Sequence, residues 1–133
     1  MTFRLWKHNF ETQFIKNAFV YHKRRVSFKQ FFKQTFAFGQ GRPLLNKKYP
    51  NTAKITYWFP TIFILSFLVS IVCLVIGVRF FAACFVAYFV LIFVDSLLTN
   101  KKSSVAFISV ITTIIQFTGY GLGFLKGLLS NKN

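Results

Sequence analysis

Acidic residues are almost missing from this sequence of 133 residues, which contains only Glu11 and Asp95 against 17 lysines and arginines. The two carboxylates lie far apart in the chain, so they cannot form the acid/base pair that general acid–base catalysis needs. Cysteine is also scarce. Cys73 and Cys84 both fall within apolar runs, lack partners at metal-binding spacing and are too few for a disulfide framework. We therefore expect no catalytic or metal centre built from this chain alone.

Positive charge and apolar character are both abundant, and they are segregated along the chain. The composition is 54% hydrophobic with a net charge of +15 and 20 phenylalanines, and twelve of the basic residues lie in residues 1–54. This separation is typical of an integral membrane protein with a basic segment beside its apolar region. Zinc-binding spacing, a recognition-helix pattern and an RNP-like motif are all lacking, so we expect no nucleic acid as partner. The first 25 residues contain no apolar core typical of a signal peptide.

Three apolar runs predict three transmembrane helices, at Ile55–Val78, Phe80–Leu98 and Val105–Leu125. Each is long enough for a bilayer core of about 30 Å at about 1.5 Å per residue. Only Gly77–Arg79 separates the first two runs, so they should form a tight antiparallel hairpin. The third run is less apolar because it contains threonines, a glutamine and glycines, and a re-entrant or interfacial helix is the alternative for it.

The distribution of lysine and arginine predicts the orientation. Residues 1–54 are strongly basic and Lys101 and Lys102 follow the second run, whereas the tip of the hairpin carries only Arg79. The positive-inside rule therefore places residues 1–54 and the 99–104 loop in the cytoplasm. Three spans would leave the C-terminus outside, with Lys126 and Lys132 as exceptions to the rule. If the third run does not cross, the C-terminus is cytoplasmic.

Residues 27–38, SFKQFFKQTFAF, have the period of an amphipathic helix. Lysines and glutamines take one side of this helix. Four phenylalanines share the other face, at positions i, i+3, i+4 and i+8: Phe28, Phe31, Phe32 and Phe36. Ser27 is the predicted N-cap, and Gly39 and Gly41 are expected to end the helix. Such a helix should lie at an anionic membrane interface. Residues 27–54 are thus an interface helix with a linker, and residues 55–133 the transmembrane region.

Two features of the apolar half allow more than one interpretation. Gly119, Gly123 and Gly127 follow at intervals of four, the small-xxx-small pattern of close helix contact, although glycine is common in membrane helices. They would pack against a partner span or the first hairpin. Intramembrane Asp95 is a functional candidate by default, but a carboxylate paired with Lys101 and Lys102 is the favoured interpretation.

The first 26 residues are expected to be a remnant of an α/β domain. Residues 2–8, TFRLWKH, look like the end of a short helix, and two β-prone pieces follow at Gln13–Ile15 and Ala18–His22. So short a segment cannot build a hydrophobic core without a partner. The predicted fold class is therefore mainly α and integral to the membrane, with this remnant at its start.

The order of several short motifs resembles a known family. TFRLWK, FVYHKRR, SFKQFFKQTFAFGQGRPLL and a final YGLGF run follow one another along the chain. In this order they resemble the C-terminal third of membrane-bound family 2 glycosyltransferases of bacteria. The resemblance implies a cytoplasmic GT-A-type catalytic domain that is missing here, together with its acidic metal motif and Glu-Asp motif. The chain is then expected to be a fragment, located in the inner membrane with its N-terminal segment cytoplasmic.

The resemblance also implies a function and a set of binding residues. The complete enzyme would transfer a sugar from a nucleotide-sugar donor to a lipid-linked or cell-envelope acceptor, with a divalent cation, Mg²⁺ or Mn²⁺. Arg24, Arg25 and Arg42 would bind phosphate, Gln34 would position the acceptor or the loop above it, and His22 would contact the diphosphate or the metal shell. Lipid headgroup binding is the alternative for the arginines, and an interfacial imidazole for His22.

A different class of function stays open. The chain would then be a small non-enzymatic membrane anchor or assembly subunit, whose basic interfacial segment binds anionic lipid or a partner protein. A channel is disfavoured because no span carries a polar stripe beyond Thr112, Gln116 and Gly119.

Overall fold

The computed structural model describes residues 5, 9, 11, 13–15, 18–21 and 27–130. Between residues 27 and 130 it contains four α-helices: α1 (Phe28–Lys48), α2 (Phe59–Val75), α3 (Phe80–Asn100) and α4 (Ser103–Leu129). Two short 3₁₀ helices, Pro50–Thr52 and Ile55–Trp58, connect α1 to α2. The described residues include no strand, so the mainly helical fold is confirmed for them.

Three of the helices are long and apolar enough to cross a membrane, as the sequence predicts. The candidate spans are Ile55–Val75, Phe80–Asn100 and Ser103–Leu129, with mean hydropathies of 2.4, 2.3 and 1.6. Their large apolar side chains are mostly exposed in the isolated chain, for example Val75 at 83% and Leu91 at 68%. Surfaces of this kind match a hydrocarbon solvent, because lipid tails cover them at no cost.

The turn between α2 and α3 has the geometry of a Schellman motif. Gly77 adopts a left-handed conformation with φ of 97°. The amide of Val78 donates to the carbonyl of Cys73 (2.8 Å), and the amide of Gly77 donates to that of Leu74 (3.1 Å). Such a turn ends a helix and satisfies its last carbonyls. The predicted hairpin is confirmed, and Gly77 is the residue that allows its sharp turn.

Only Lys101 and Lys102 separate α3 from α4. Next to this connection the hydroxyls of Ser96 and Ser109 lie 2.8 Å apart, and the rings of Phe93 and Phe107 have centroids 4.9 Å apart. A hydrogen bond between helices in an apolar setting contributes about 0.6 kcal/mol. These contacts fix the first turns of α4 to the last turns of α3.

Helix α1 starts where the sequence predicts and ends elsewhere. Ser27 precedes the first turn with an extended backbone, although its side chain makes no capping hydrogen bond. The predicted end at Gly39 and Gly41 is wrong, since α1 continues through both glycines and through Pro43 to Lys48. A glycine typically ends a helix by adopting the left-handed backbone conformation. Gly39 packs against α4, and this contact keeps its backbone helical.

The glycines of α4 allow α1 to approach it closely. A Cβ atom on Gly123 would overlap the carbonyl of Phe36, and one on Gly127 would overlap that of Gln40. In return, a Cβ on Gly39 of α1 would overlap the carbonyl of Tyr120. Residue numbers increase together along the contact, so α1 and α4 run in the same direction. The close-contact interpretation of Gly119, Gly123 and Gly127 is thus confirmed, but the partner of these three glycines is α1, not the hairpin.

This contact corrects the role assigned to the phenylalanine face of α1. Phe31, Phe32 and Phe36 are half-buried, and the backbones of Phe32 and Phe36 face the glycines of α4. Only Phe28, 47% exposed, stays largely free. The phenylalanine face predicted to lie at the membrane interface is therefore partly covered by α4, because the glycines of α4 leave room for a second helix.

Aromatic rings occupy the region where α2, α3 and α4 meet. The ring of Phe63 on α2 lies 5.2 Å from that of Phe85, 6.3 Å from that of Phe89 and 4.4 Å from that of Phe117, measured between centroids. Beside it is a small apolar cavity of about 80 Å³. Pairs of rings at such distances add about 0.5–1.5 kcal/mol each to the packing. This cluster joins the hairpin to α4.

Two further predictions concern polar residues and the N-terminal segment. Asp95 is exposed on α3, and no ion pair links it to Lys101, Lys102 or another described residue, so the predicted pairing is not formed.

In the N-terminal segment, Leu5 is helical, and residues 13–15 and 18–21 form no strand. The α/β remnant itself stays a prediction.

Substituting Gly123 by alanine should weaken the α1–α4 contact. The new Cβ would overlap the backbone of Phe36, which cannot move without shifting α1. We expect a loss of about 1–3 kcal/mol in the free energy of unfolding, the usual cost of overpacking. Thermal unfolding in detergent micelles, followed by circular dichroism, measures it.

Gly41→Ala is the matched control, because Gly41 is also helical but has open space at its Cβ position. It should leave the stability unchanged or raise it by up to about 1 kcal/mol, since alanine is the better helix former. An equal loss in both variants would contradict the close-contact role of Gly123.

Candidate functional site: a basic groove between α1, α2 and α4

A groove of about 480 Å³ opens where α1, the start of α2 and α4 come together. Its lining combines one cation with aromatic, hydroxyl and amide groups: Phe38, Arg42, Thr56, Tyr57, Pro60, Gln116 and Tyr120. Most of the remaining helix surface carries apolar side chains. The groove is therefore the place where polar groups of several elements converge beside the apolar helices.

Arg42 is the cation of the groove, and Tyr57 holds it. The guanidinium carbon lies 3.7 Å from the centroid of the Tyr57 ring, a close cation–π contact. α1 presents Arg42 next to the buried Pro43, one turn after the buried Gly39, so the α1–α4 contact sets its position. The planar guanidinium keeps its edge N–H donors available while its face rests on the ring.

Helix α4 adds Gln116 and Tyr120 to the groove. The two residues are four apart, so they lie on one face of the helix. Together with Thr56 and Tyr57 they supply an amide and three hydroxyl groups around the guanidinium. These groups donate hydrogen bonds to acceptor oxygens, and the arginine adds a positive charge. The arrangement suits a small anionic group such as a phosphate or a carboxylate.

The charge of Arg42 is not neutralised within the groove. The only acidic side chains of the sequence are Glu11 and Asp95, and neither belongs to the lining. A half-buried cation without a carboxylate partner retains its attraction for an external anion. The groove therefore has the electrostatic character of an anion site, and it offers no general base.

An apolar recess adjoins the groove. It has a volume of about 480 Å³ and is lined by Ile55, Thr56, Phe59 and Ile62. Thr56 lines both, so the recess and the groove share a border. Ile55 is 86% exposed and Ile62 is 56% exposed, so this side of α2 faces outwards. A molecule with an anionic head and an apolar tail would find both environments next to each other.

The structure brings one of the predicted site residues into the groove. Arg42 lines it, whereas Gln34 lies two turns earlier on α1, half-buried and outside the lining. His22, Arg24 and Arg25 lie outside the described residues. A convergence of all five residues at one site is therefore still a prediction.

Sequence reasoning missed the partners of Arg42. No sequence pattern connects Tyr57 to Arg42, Gln116 stands only among the polar residues of the third apolar run, and Tyr120 only within the YGLGF motif. Their four-residue spacing was a usable signal, because it places them on one helix face. The face that α4 turns towards Arg42 follows from its packing with α1, and no local pattern contains that information.

The residues described do not fit the divalent cation implied by the resemblance. Among them, no three histidine, cysteine or acidic side chains lie close enough to hold a metal ion. Mg²⁺ and Mn²⁺ prefer oxygen ligands, chiefly carboxylates. The lining of this groove, which contains no carboxylate, therefore does not suit a divalent cation.

A double-mutant cycle tests the contact between Arg42 and Tyr57. Arg42→Gln and Tyr57→Leu should show a coupling of about 0.5–1 kcal/mol in the free energy of unfolding, because each change removes the same cation–π interaction. Chemical or thermal unfolding in micelles measures the four variants. Tyr57→Phe keeps the ring and should retain the coupling, and a vanishing coupling with phenylalanine would show that the hydroxyl carries the interaction instead.

Comparison with known protein families, with curated proteins and with solved structures finds no match to this chain. The likeness to family 2 glycosyltransferases therefore depends on the sequence motifs given above.

Proposed function

We propose that this chain is a membrane-embedded binding module that holds the anionic head of an amphiphile in the Arg42 groove. We further propose that the chain is the acceptor-side membrane part of a family 2 glycosyltransferase that uses a lipid-linked or cell-envelope acceptor. The observation that carries the proposal is the guanidinium of Arg42, held on Tyr57 without a carboxylate partner at the edge of the apolar helices.

An amphiphile fits better than a soluble anion. The groove is polar and basic, and the recess that shares Thr56 with it is almost wholly apolar. Ile55 and Phe59, both exposed, would contact an acyl or prenyl chain, while Arg42 would contact its phosphate. A bidentate arginine–phosphate contact is charge-assisted and about twice as strong as a neutral hydrogen bond.

The proposal assigns no chemical step to this chain alone. Glycosyl transfer needs a carboxylate base for the acceptor and a cation for the leaving diphosphate. Glu11 and Asp95 are both exposed, and neither lines the groove. The nucleotide-sugar site and the base would belong to the catalytic domain that the resemblance implies, acting at the cytoplasmic face of a bacterial inner membrane.

A second function is favoured by the surface of α1. Exposed lysines near both ends of the helix give it a strongly basic side: Lys29, Lys33, Lys47 and Lys48. Each such charge near an anionic leaflet contributes about 1 kcal/mol of attraction. A non-enzymatic anchor or assembly subunit would use these lysines and the same groove to bind ordinary anionic lipid.

Binding of farnesyl phosphate to the purified full chain in nanodiscs of zwitterionic lipid tests the first proposal. Arg42→Gln should weaken binding about tenfold to a hundredfold, because a charge-assisted contact contributes about 1.5–3 kcal/mol. Arg42→Lys should recover only part of the loss, since lysine lacks the planar fork. Lys47→Gln, an exposed residue of the same helix, is the matched control and should change the affinity little.

A short-chain phosphatidylglycerol in the same assay separates the two functions. Preference for the prenyl phosphate supports the acceptor-side assignment, and equal affinity for both lipids supports the anchor. If Arg42→Gln binds as tightly as the unmodified chain, or loses no more than Lys47→Gln, the groove is not the binding site.

A further inference from the structure

The α2–α3 hairpin has a closed end and an open end. The turn at Gly77 closes one end, so the start of α2 and the finish of α3 belong to the other. Contacts across the hairpin agree with this, because Phe63 and Phe67 of α2 both pack on Phe85 of α3. If the hairpin crosses a bilayer and returns, Phe59 at the start of α2 and Asn100 at the end of α3 lie at the same leaflet.

Helix α4 begins at this open end. Its connection to α3 is only Lys101-Lys102, and Ser109 in its second turn bonds to Ser96 near the finish of α3. The ring of Phe107 likewise packs on that of Phe93. The first part of α4 is therefore held at the leaflet where α3 finishes.

The later part of α4 returns to the same end. The rings of Phe124 and Trp58 lie 5.0 Å apart, and those of Phe117 and Phe59 lie 5.7 Å apart. A Cβ atom on Gly121 would lie 3.0 Å from the carbonyl oxygen of Pro60, which belongs to the first turn of α2. Both parts of α4 thus contact the open end of the hairpin, one on α3 and the other on α2.

The closed end of the hairpin stays uncovered by these contacts. Val75 and Ile76 are 83% and 74% exposed, and Phe80 is 70% exposed. A third helix that crossed the bilayer beside the hairpin would run from the finish of α3 towards this turn. The ring contacts of α4 instead lead from Phe93 on α3 to Trp58 at the start of α2.

The basic residues follow the same division. Four lysines lie near the open end: Lys54, Lys101, Lys102 and Lys126. Helix α1 packs on α4 and adds further exposed lysines at this end. Among the residues that the structure describes, Arg79 is the only basic one at the closed end. Lysine and arginine collect on one side of a membrane protein, so this charge pattern and the helix contacts indicate the same leaflet.

We propose that α4 does not cross the bilayer, and that α1 and α4 form a helix pair in the headgroup region of the leaflet at the open end. The partner of this surface is the anionic headgroup layer of that leaflet, which the lysines of α1 face. Residues 27 and 130 then lie on one side of the membrane, and the turn at Gly77 lies on the other.

Cysteine accessibility in sealed proteoliposomes tests this arrangement. Cys73→Ala and Cys84→Ala first remove the native thiols from the full chain, and single reporters are then introduced as Ser27→Cys, Val78→Cys and Ser130→Cys. A membrane-impermeant maleimide is applied before and after detergent is added. We expect the Ser27 and Ser130 reporters to react to the same extent on intact vesicles, and the Val78 reporter to react in the complementary fraction.

Two outcomes would overturn the proposal. If the Ser130 reporter is labelled to the same fraction as the Val78 reporter, and the Ser27 reporter to the complementary fraction, α4 crosses the bilayer. Labelling of nearly the total thiol of all three reporters on intact vesicles would show that the hairpin does not cross. Labelling after detergent addition measures the total thiol, and size-exclusion chromatography selects variants that elute like the cysteine-free chain. The result does not depend on any ligand of the Arg42 groove.

Discussion

The backbone contact between α1 and α4 is the constraint on which the other features depend. Lipid tails are as apolar as leucine, so two helices gain little by excluding them, and association needs close van der Waals contact. Gly123 and Gly127 of α4, with Gly39 of α1, provide it by leaving no side chain between the two backbones. The same contact keeps α1 helical past two glycines and Pro43, which would otherwise end it. Pro43 itself takes part, since its ring faces Gly127.

The groove is a consequence of that contact. Arg42 sits between the buried Gly39 and Pro43 along α1, so its direction is fixed once α1 lies against α4. Tyr57 contacts Arg42 because the 3₁₀ helix before α2 lies beside the groove, which Tyr120 of α4 also lines. A helix ending at Gly39 would have left Arg42 in an irregular linker, without a fixed partner. The binding chemistry and the packing of this molecule therefore share one origin.

The extent to which the sequence predicts this structure differs between its parts. The apolar runs predict α2 and α3 closely, and Gly77 predicts their turn, since both signals are local. The end of α1 could not be predicted, because Gly39, a residue type that usually ends a helix, is here used for contact with α4. For the same reason Arg42 could be selected from the sequence, whereas its neighbours Gln116 and Tyr120 could not be assigned to it. Their orientation depends on a helix pairing that joins residues about eighty positions apart.

The weaker apolar character of α4 has a structural explanation in its two faces. Its mean hydropathy is 1.6, against 2.4 and 2.3 for the other candidate spans. Glycines occupy the face towards α1, Gln116 and Tyr120 occupy the face towards the groove, and the hydroxyls of Thr112 and Thr113 bond back to the carbonyls of the preceding turn. A helix surrounded by lipid on all sides would have no use for such residues, since each polar group needs a partner there. A helix that lies across the open end of a hairpin, with α1 on one side, packs its glycines against α1 and presents Gln116 and Tyr120 to the groove. The composition that makes the third apolar run ambiguous is thus the composition that its position requires.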